Sequence, residues 1–281
     1  MTEILAQIVA WLNGAANALG RLLLAPAGHL PGWLSATVVA AVTGVLLLIM
    51  FKYTSNQRAI QRVRDDINAH LLALKLFKDS TSVSLRAQGR ILWGALRLFV
   101  LALVPMLVMV VPVCLILGQL ALWYQARPLR VGEDAVVTVK LNGSAGSSWP
   151  DVRLRPTGAV EVATGPVRVL SKQEVCWDVK AVESGDHRLD FQVGQETFAK
   201  ELAIGDGFMR VSRLRPGWQW LDILLNPAEP PFGPGSPVQS IEVDYPPRSS
   251  WTSGTDVWII YWFAVSMISA LCFRRLLNVN V

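Results

Sequence analysis

Residues 98–126 read LFVLALVPMLVMVVPVCLILGQLALWYQA, twenty-nine consecutive positions without a charge. A helix crosses about 30 Å of hydrocarbon with about 20 apolar residues, so this run is a membrane-span candidate with length to spare. At about 1.5 Å per residue it reaches about 43 Å, which requires tilt, a kink at Pro105 or Pro112, or a portion lying in the interface. A second uncharged run, 33–51, precedes it, and a third, 257–273, follows near the C-terminus. Three spans are predicted.

Between the first two runs lies a basic stretch, 52–97, with nine Lys or Arg residues against Asp65, Asp66 and Asp79. Short loops rich in Lys and Arg stay on the cytoplasmic side. The stretch is therefore read as cytoplasmic, and Arg274-Arg275 after the third span puts the C-terminus on the same side. The N-terminus and residues 127–256 then fall outside. That outer segment holds fourteen basic and seventeen acidic residues, so the net +5 of the chain resides in the inner segments. The high pI is a topology signal, and no specific nucleic-acid binding is needed to explain it. Trp33, Trp123 and Trp258 sit at the outer ends of the spans, where indoles favour the headgroup level.

The basic stretch has its own periodicity. Ile60, Val63, Ile67, Leu71, Leu74 and Phe77 recur at steps of three and four, opposed by Arg58, Arg62, Arg64, Asp65 and Asp66. Asp79 to Ser82 supply turn and N-cap chemistry, and a second arm runs from Val83 to about Gly94. The two arms predict an antiparallel cytoplasmic helical hairpin whose partner-binding candidates are Arg58, Arg62, Arg64, Lys75 and Lys78. Two helices lying flat on anionic headgroups would place the same charges equally well.

In residues 1–25, Glu3, Gln7, Ala10, Gly14, Asn17 and Arg21 mark one polar or small face and Ile4, Leu5, Ile8, Trp11, Leu12, Leu19, Leu22 and Leu23 cover the rest. This is the pattern of an amphipathic helix in the outer interface; a tilted fourth span packed in protein fits as well. Glu3 and the interruptions at Asn13, Gly14 and Asn17 do not make a cleavable signal peptide.

From Glu133 the period becomes two. Ala135 to Leu141, Val160-Val162, Val167-Val169, Val175 to Val179, Leu189 to Val193 and Phe198 to Ile204 are separated by Asn142-Gly143, Gly165-Pro166, Glu183 to Asp186 and Gly194-Gln195. Short alternating strands at this spacing predict an immunoglobulin-like antiparallel β-sandwich over 128–206, with Trp177 in its core and Cys176 facing the other way. Residues 207–256, rich in Pro, Gly and Trp, are read as a short interfacial helix around Trp218 to Leu225 and an edge strand from Ser240 to Tyr245.

Chemical motifs are absent from the sequence. The three histidines lie far apart, the cysteines are scattered without metal spacing, and there is no G-x-S-x-G, Walker loop or H-E-x-x-H. The spans carry no charge, against the expectation for a proton-coupled transporter or a charged ion filter. No catalytic, cofactor-binding or metal residue is assigned, and no enzyme is expected.

Two stretches resemble a known family. Phe51-Lys52-Tyr53-Thr54-Ser55-Asn56-Gln57 leads into the Ile60 to Phe77 helix, and Leu103 to Pro112 looks like a Pro-x-Leu-x-x-Gln-x-Pro helix entry. With the outer N-terminus and basic hairpin, this arrangement resembles the YidC-type membrane protein insertase superfamily. The nearest likeness is to its smaller branch, which includes archaeal YidC-like proteins and the insertase subunit of the endoplasmic-reticulum membrane complex. The first span lacks the Arg that many such insertases carry, and the outer domain is an addition to the family's minimal core.

The resemblance implies a multi-pass bacterial inner-membrane protein of insertase-like or chaperone-like function. Its hairpin would receive client membrane proteins or a ribosome, and its outer domain would engage a further protein. Thr37, Thr43, Gln119, Ser266 and Ser269 are the candidates to line a membrane groove, and they serve equally as interhelical hydrogen-bond partners. The alternative function is a non-catalytic membrane-anchored scaffold or adhesion subunit of a larger envelope complex.

Overall fold

In a computed structural model of the chain, described for residues 2–76, 81–143, 150–254, 257–277 and 279, the fold combines long helices with antiparallel β-sheet. It divides into two compact units: residues 1–36 with 114–261, and residues 37–113 with 262–281.

The helices in chain order are α1 (Thr2–Leu24), α2 (Gly32–Thr54), α3 (Gln57–Leu76), α4 (Thr81–Tyr124), α5 (Trp220–Leu225) and α6 (Val257–Phe273). α6 has the boundaries expected of the third apolar run. α4 joins two of the predicted elements. The hairpin's second arm and the second apolar run are one unbroken helix of 44 residues that continues through Gly94, Pro105 and Pro112. α2 and residues 85–124 of α4 are long and apolar enough to cross a membrane, with only 28% and 6% of their most apolar stretches buried in the protein. A helix from a soluble core would be mostly covered.

In the unit that contains the hairpin, Asn56 accepts a hydrogen bond from the Ala59 amide (3.1 Å) and caps α3. Ile60 and Val63 are buried, and Ile67 and Val63 lie against Gly94 of α4, where an added Cβ would stand 2.7 Å from Ile67. A larger residue there would push the two arms apart. α2 and α6 approach each other still more closely at Gly44, whose Cα faces the Ser266 backbone carbonyl. Lys52 of α2 donates to the Leu277 carbonyl (2.7 Å), tying the chain beyond α6 back to α2.

The other unit carries the β-structure. The strands are β1 (Asp134–Leu141), β2 (Val152–Leu154), β3 (Val160–Val169), β4 (Glu174–Ala181), β5 (Gly185–Val193), β6 (Glu196–Ile204), β7 (Leu214–Arg215) and β8 (Val238–Val243). They form a five-stranded sheet, β3-β4-β1-β8-β7, and a three-stranded sheet, β2-β5-β6. Both contribute to one core, in which Val137, Val139, Trp177 and Val179 of the first sheet meet Leu189, Phe191 and Leu202 of the second. Trp177 is buried and Cys176 half-buried on the opposite face, as alternation along a strand requires.

Two details depart from the sequence reading. Gly165-Pro166 does not separate two strands. It sits within β3, whose pairing with β4 runs from Val162↔Val179 to Val167↔Cys176 across register shifts, so the extra residues are accommodated as bulges. β8 is not an edge strand, because β1 pairs on one side of it and β7 on the other. The sheet region therefore extends beyond residue 206 into the Pro- and Gly-rich stretch.

α1 also belongs to this unit. Its buried residues, Ala6, Asn13 and Gly20, recur at intervals of seven. Asn13 donates to the Ile223 carbonyl of α5, and Asn17 to the Ala228 carbonyl (3.1 Å). A row of small or polar residues, Ala6, Asn13 and Gly20, is thus turned to protein; Glu3, Gln7, Gly14 and Arg21 of the face marked in the sequence are exposed, as are Ile4, Ile8, Trp11, Leu19, Leu22 and Leu23. Such a pattern is inverted relative to a helix on a water-soluble surface.

Candidate functional site

The basic hairpin is the first candidate. Arg58 and Arg62 are exposed on α3, whereas Arg64 is half-buried and engaged with other groups. Lys75 belongs to the last turn of α3, and Lys78 lies outside the described residues. Arg86 and Arg90 add exposed charge on α4. Among its lining residues, a small cavity of about 120 Å³ between the arms has Asp66, His70, Arg90, Trp93 and Arg97. The hairpin therefore offers an exposed cationic surface over an apolar seam, suited to an anionic partner.

Four of the five groove candidates, Thr37, Thr43, Ser266 and Ser269, fall in one unit. Thr43, Ser266 and Ser269 belong to the α2–α6 contact: Trp262 donates its indole N–H to Thr43 Oγ1 (2.8 Å), Ser269 donates to the Ala41 carbonyl (3.0 Å), and Ser266 donates to the Phe263 carbonyl (3.0 Å). Thr43 in turn donates to the Ala40 carbonyl (2.9 Å). These hydroxyls are occupied in helix packing and local helix bonds. Thr37 is half-buried on α2 and engaged with another group. Gln119 falls in the other unit, buried against Gly20 of α1, with its Nε2 lacking a hydrogen-bond partner among the described residues.

A polar cluster that the sequence reading did not single out lies inside the sheet unit. Lys200 of β6 is fully buried, and its ammonium donates to Glu229 Oε1 (2.6 Å), to the Ser212 carbonyl (2.6 Å) and to Ser212 Oγ (3.0 Å). Ser212 Oγ donates to Glu229 Oε1 (2.5 Å), and Glu229 Oε2 accepts the Glu201 amide (3.0 Å). Burial pushes the Lys200 ammonium below its ordinary pKa, and the Glu229 charge opposes that shift. A signal for this cluster existed: Phe198, Lys200, Leu202 and Ile204 share one phase of the alternation, so the lysine stands in an apolar row.

Serine beside lysine is a pairing used in nucleophilic catalysis. Here, however, Ser212 and Lys200 are both buried and the carboxylate of Glu229 holds the ammonium, so no free amine faces a substrate. The cluster satisfies buried polar groups. Among the described residues no three His, Cys, Asp or Glu side chains gather as a metal site, and Cys114, Cys176 and Cys272 are free thiols.

Arginines tie the same unit together. Arg127 and Glu133 form a bidentate pair (2.7 and 2.7 Å), and the guanidinium holds the Glu133 carboxyl down at about 2. Arg210 reaches Asn17 Oδ1 of α1 (2.6 Å) and the Ala228 carbonyl (2.9 Å). Arg215 donates to the Ala199 carbonyl (2.6 Å) and stacks over Phe232 (4.3 Å). No protein-family model, curated protein or solved structure matches this chain.

Proposed function

We propose that the chain is an integral protein of a bacterial inner membrane, with insertase-like or chaperone-like function, whose cytoplasmic hairpin receives a client membrane protein or a ribosome. The supporting observation is α4. Its basic N-terminal half packs on α3, while the apolar run that continues from it, including Phe99, Val104, Met106, Leu107 and Val111, stays uncovered by the protein itself. Such a surface needs lipid or a client helix against it. The outward apolar face of α1 suits the same setting. The sheet unit, read as an immunoglobulin-like sandwich, would face outward and engage a further protein of the envelope.

A second reading is a non-catalytic scaffold or adhesion subunit anchored by the same helices. The engaged hydroxyls of Thr43, Ser266 and Ser269 favour it, because a wet groove for a polar client segment needs free polar groups.

Charge reversal of the exposed residues Arg58, Arg62 and Arg86 to Glu tests the proposal. Several exposed charges act together although each contributes little alone. The variant is expected to lose salt-sensitive co-sedimentation with ribosomes while its expression and membrane integration stay intact. Loss of vesicle binding instead would favour helices lying on lipid. Wild-type protein that binds neither ribosome nor client at low salt would leave the scaffold reading.

Sidedness has its own test. In a background free of native cysteines, Gln88→Cys in α4 and Ser171→Cys after β3, both at exposed positions, are exposed to an impermeant maleimide on intact spheroplasts. Only the second is expected to label. Labelling of Gln88→Cys would reverse the topology.

A further inference from the structure

An open cleft of about 340 Å³ in the sheet unit has among its walls Arg127, Arg130, Arg248, Ser250, Ser253 and Gly32. It brings together chain segments far apart in sequence: the first residue of α2, the segment just after α4, the loop after β6, and the segment leading to α6. Two of its three guanidiniums have carboxylate partners. Arg127 is paired with Glu133, and Arg130 stands 3.4 Å from Asp206 in an exposed contact. Arg248 has no carboxylate within ion-pair distance among the described residues. It donates through Nε to the Trp123 carbonyl (2.8 Å) and through Nη2 to the Met209 carbonyl (3.2 Å), and it lies over the Phe208 ring at 4.4 Å. Those contacts fix the guanidinium without neutralising it.

The cleft, whose lining includes the Asp206 paired with Arg130, therefore keeps a positive charge that its own residues do not cancel, next to Ser249, Ser250 and Ser253 and the N-terminal end of a 23-residue helix. Helix N-termini attract anions, and forked guanidiniums match the oxygens of a phosphate. We propose that this cleft binds a phosphate group, carried by the headgroup of a membrane phospholipid. The phosphate assignment stands on the cleft alone. Its lipid source rests on the membrane reading above, under which the start of α2 and the end of α4 lie at the level of the outer headgroups.

The test uses the full chain purified in detergent and three probes: short-chain phosphatidylglycerol, the matching diacylglycerol without phosphate, and inorganic phosphate. Binding is followed by native mass spectrometry and by the shift in melting temperature. Phosphatidylglycerol is expected to bind and stabilise, and diacylglycerol is not. Arg130→Gln, at an exposed position, should weaken phosphatidylglycerol binding about tenfold, the loss of one charge-assisted contact. Arg248→Gln should weaken it further. Because Arg248 also holds two carbonyls, its variant is scored only if its unliganded melting temperature matches wild type; Arg130→Gln decides the matter otherwise.

Equal stabilisation by diacylglycerol, or phosphatidylglycerol binding unchanged in Arg130→Gln, overturns the proposal. Inorganic phosphate competing as well as the lipid would keep the phosphate site and remove its lipid source. Failure of the membrane reading is seen separately, as release of the protein from membranes by alkaline carbonate.

Discussion

Lys200→Met is expected to lower the stability of the sheet unit by about 3–5 kcal/mol, the usual cost of removing one partner from a buried ion pair. Lys200 is fully buried, so the substitution leaves the Glu229 carboxylate with Ser212 and the Glu201 amide and with no ion pair among the described residues, while Arg210 and Arg215 act on it only at longer range. Folded proteins are stable by only about 5–15 kcal/mol, and the loss is a large share of that. The double variant Lys200→Met with Glu229→Leu removes both charges and should recover most of it, because apolar replacement of a whole buried pair is often neutral. Urea titration of the detergent-solubilised chain, read by resistance of the sheet unit to brief proteolysis, measures both. A single variant as resistant as wild type would show that water reaches the pair; a double variant no better than the single would show that the cluster's geometry, not its charge balance, holds the region.

What could be read from the sequence follows the range over which each signal is summed. Hydropathy adds over some twenty positions and is blind to tertiary context, so α2 and α6 stand where the uncharged runs placed them. The α3 stripe likewise puts Ile60 and Val63 in contact with protein, while Leu71 of the same stripe is exposed and Phe77 lies outside the described residues. Local breakers did not end the helix. Gly94, Pro105 and Pro112 each suggest a boundary or kink, yet α4 runs through all three. At Gly94 the reason is visible: the absent side chain is what lets Ile67 of α3 approach. Gly165-Pro166 carries a turn signature, but pairing with β4 resumes beyond it and the excess residues bulge out of the ladder.

Non-local events were out of reach. Nothing near Val238–Val243 announces that β1, almost a hundred residues earlier, is its neighbour. The cleft arginines are similarly separated, with Arg127 and Arg248 brought to one wall only by the fold. For the hairpin, residue types named the surface and the structure sorted it: Arg58 and Arg62 are exposed, and Arg64 is engaged. For the groove, the alternative use of the same hydroxyls in helix packing is the one visible at Thr43 and Ser269.

Trp177→Ala is expected to remove about 3–5 kcal/mol from the sheet unit, the range for truncating a large aromatic in a packed core. Trp177 is 3% exposed on β4, and its ring meets Phe191 of β5 at 5.4 Å and 57°, so one side chain bridges the two sheets. Gly165 of β3 leaves space over the same ring, where an added Cβ would stand 2.7 Å from Cδ1. The indole is thus enclosed from three strands, and the cavity left by alanine cannot close without moving a sheet. Trp177→Phe keeps an aromatic contact to Phe191 and should cost clearly less. Cys176→Ala, at the adjacent half-buried position on the other face, should change stability by no more than about 0.5 kcal/mol. The three variants, made in the full chain and compared by urea-dependent proteolysis, separate core burial from strand position. If alanine at 177 costs no more than alanine at 176, the two sheets do not share the core described for them; the predicted order is alanine at 177 worst, phenylalanine at 177 intermediate, alanine at 176 near wild type.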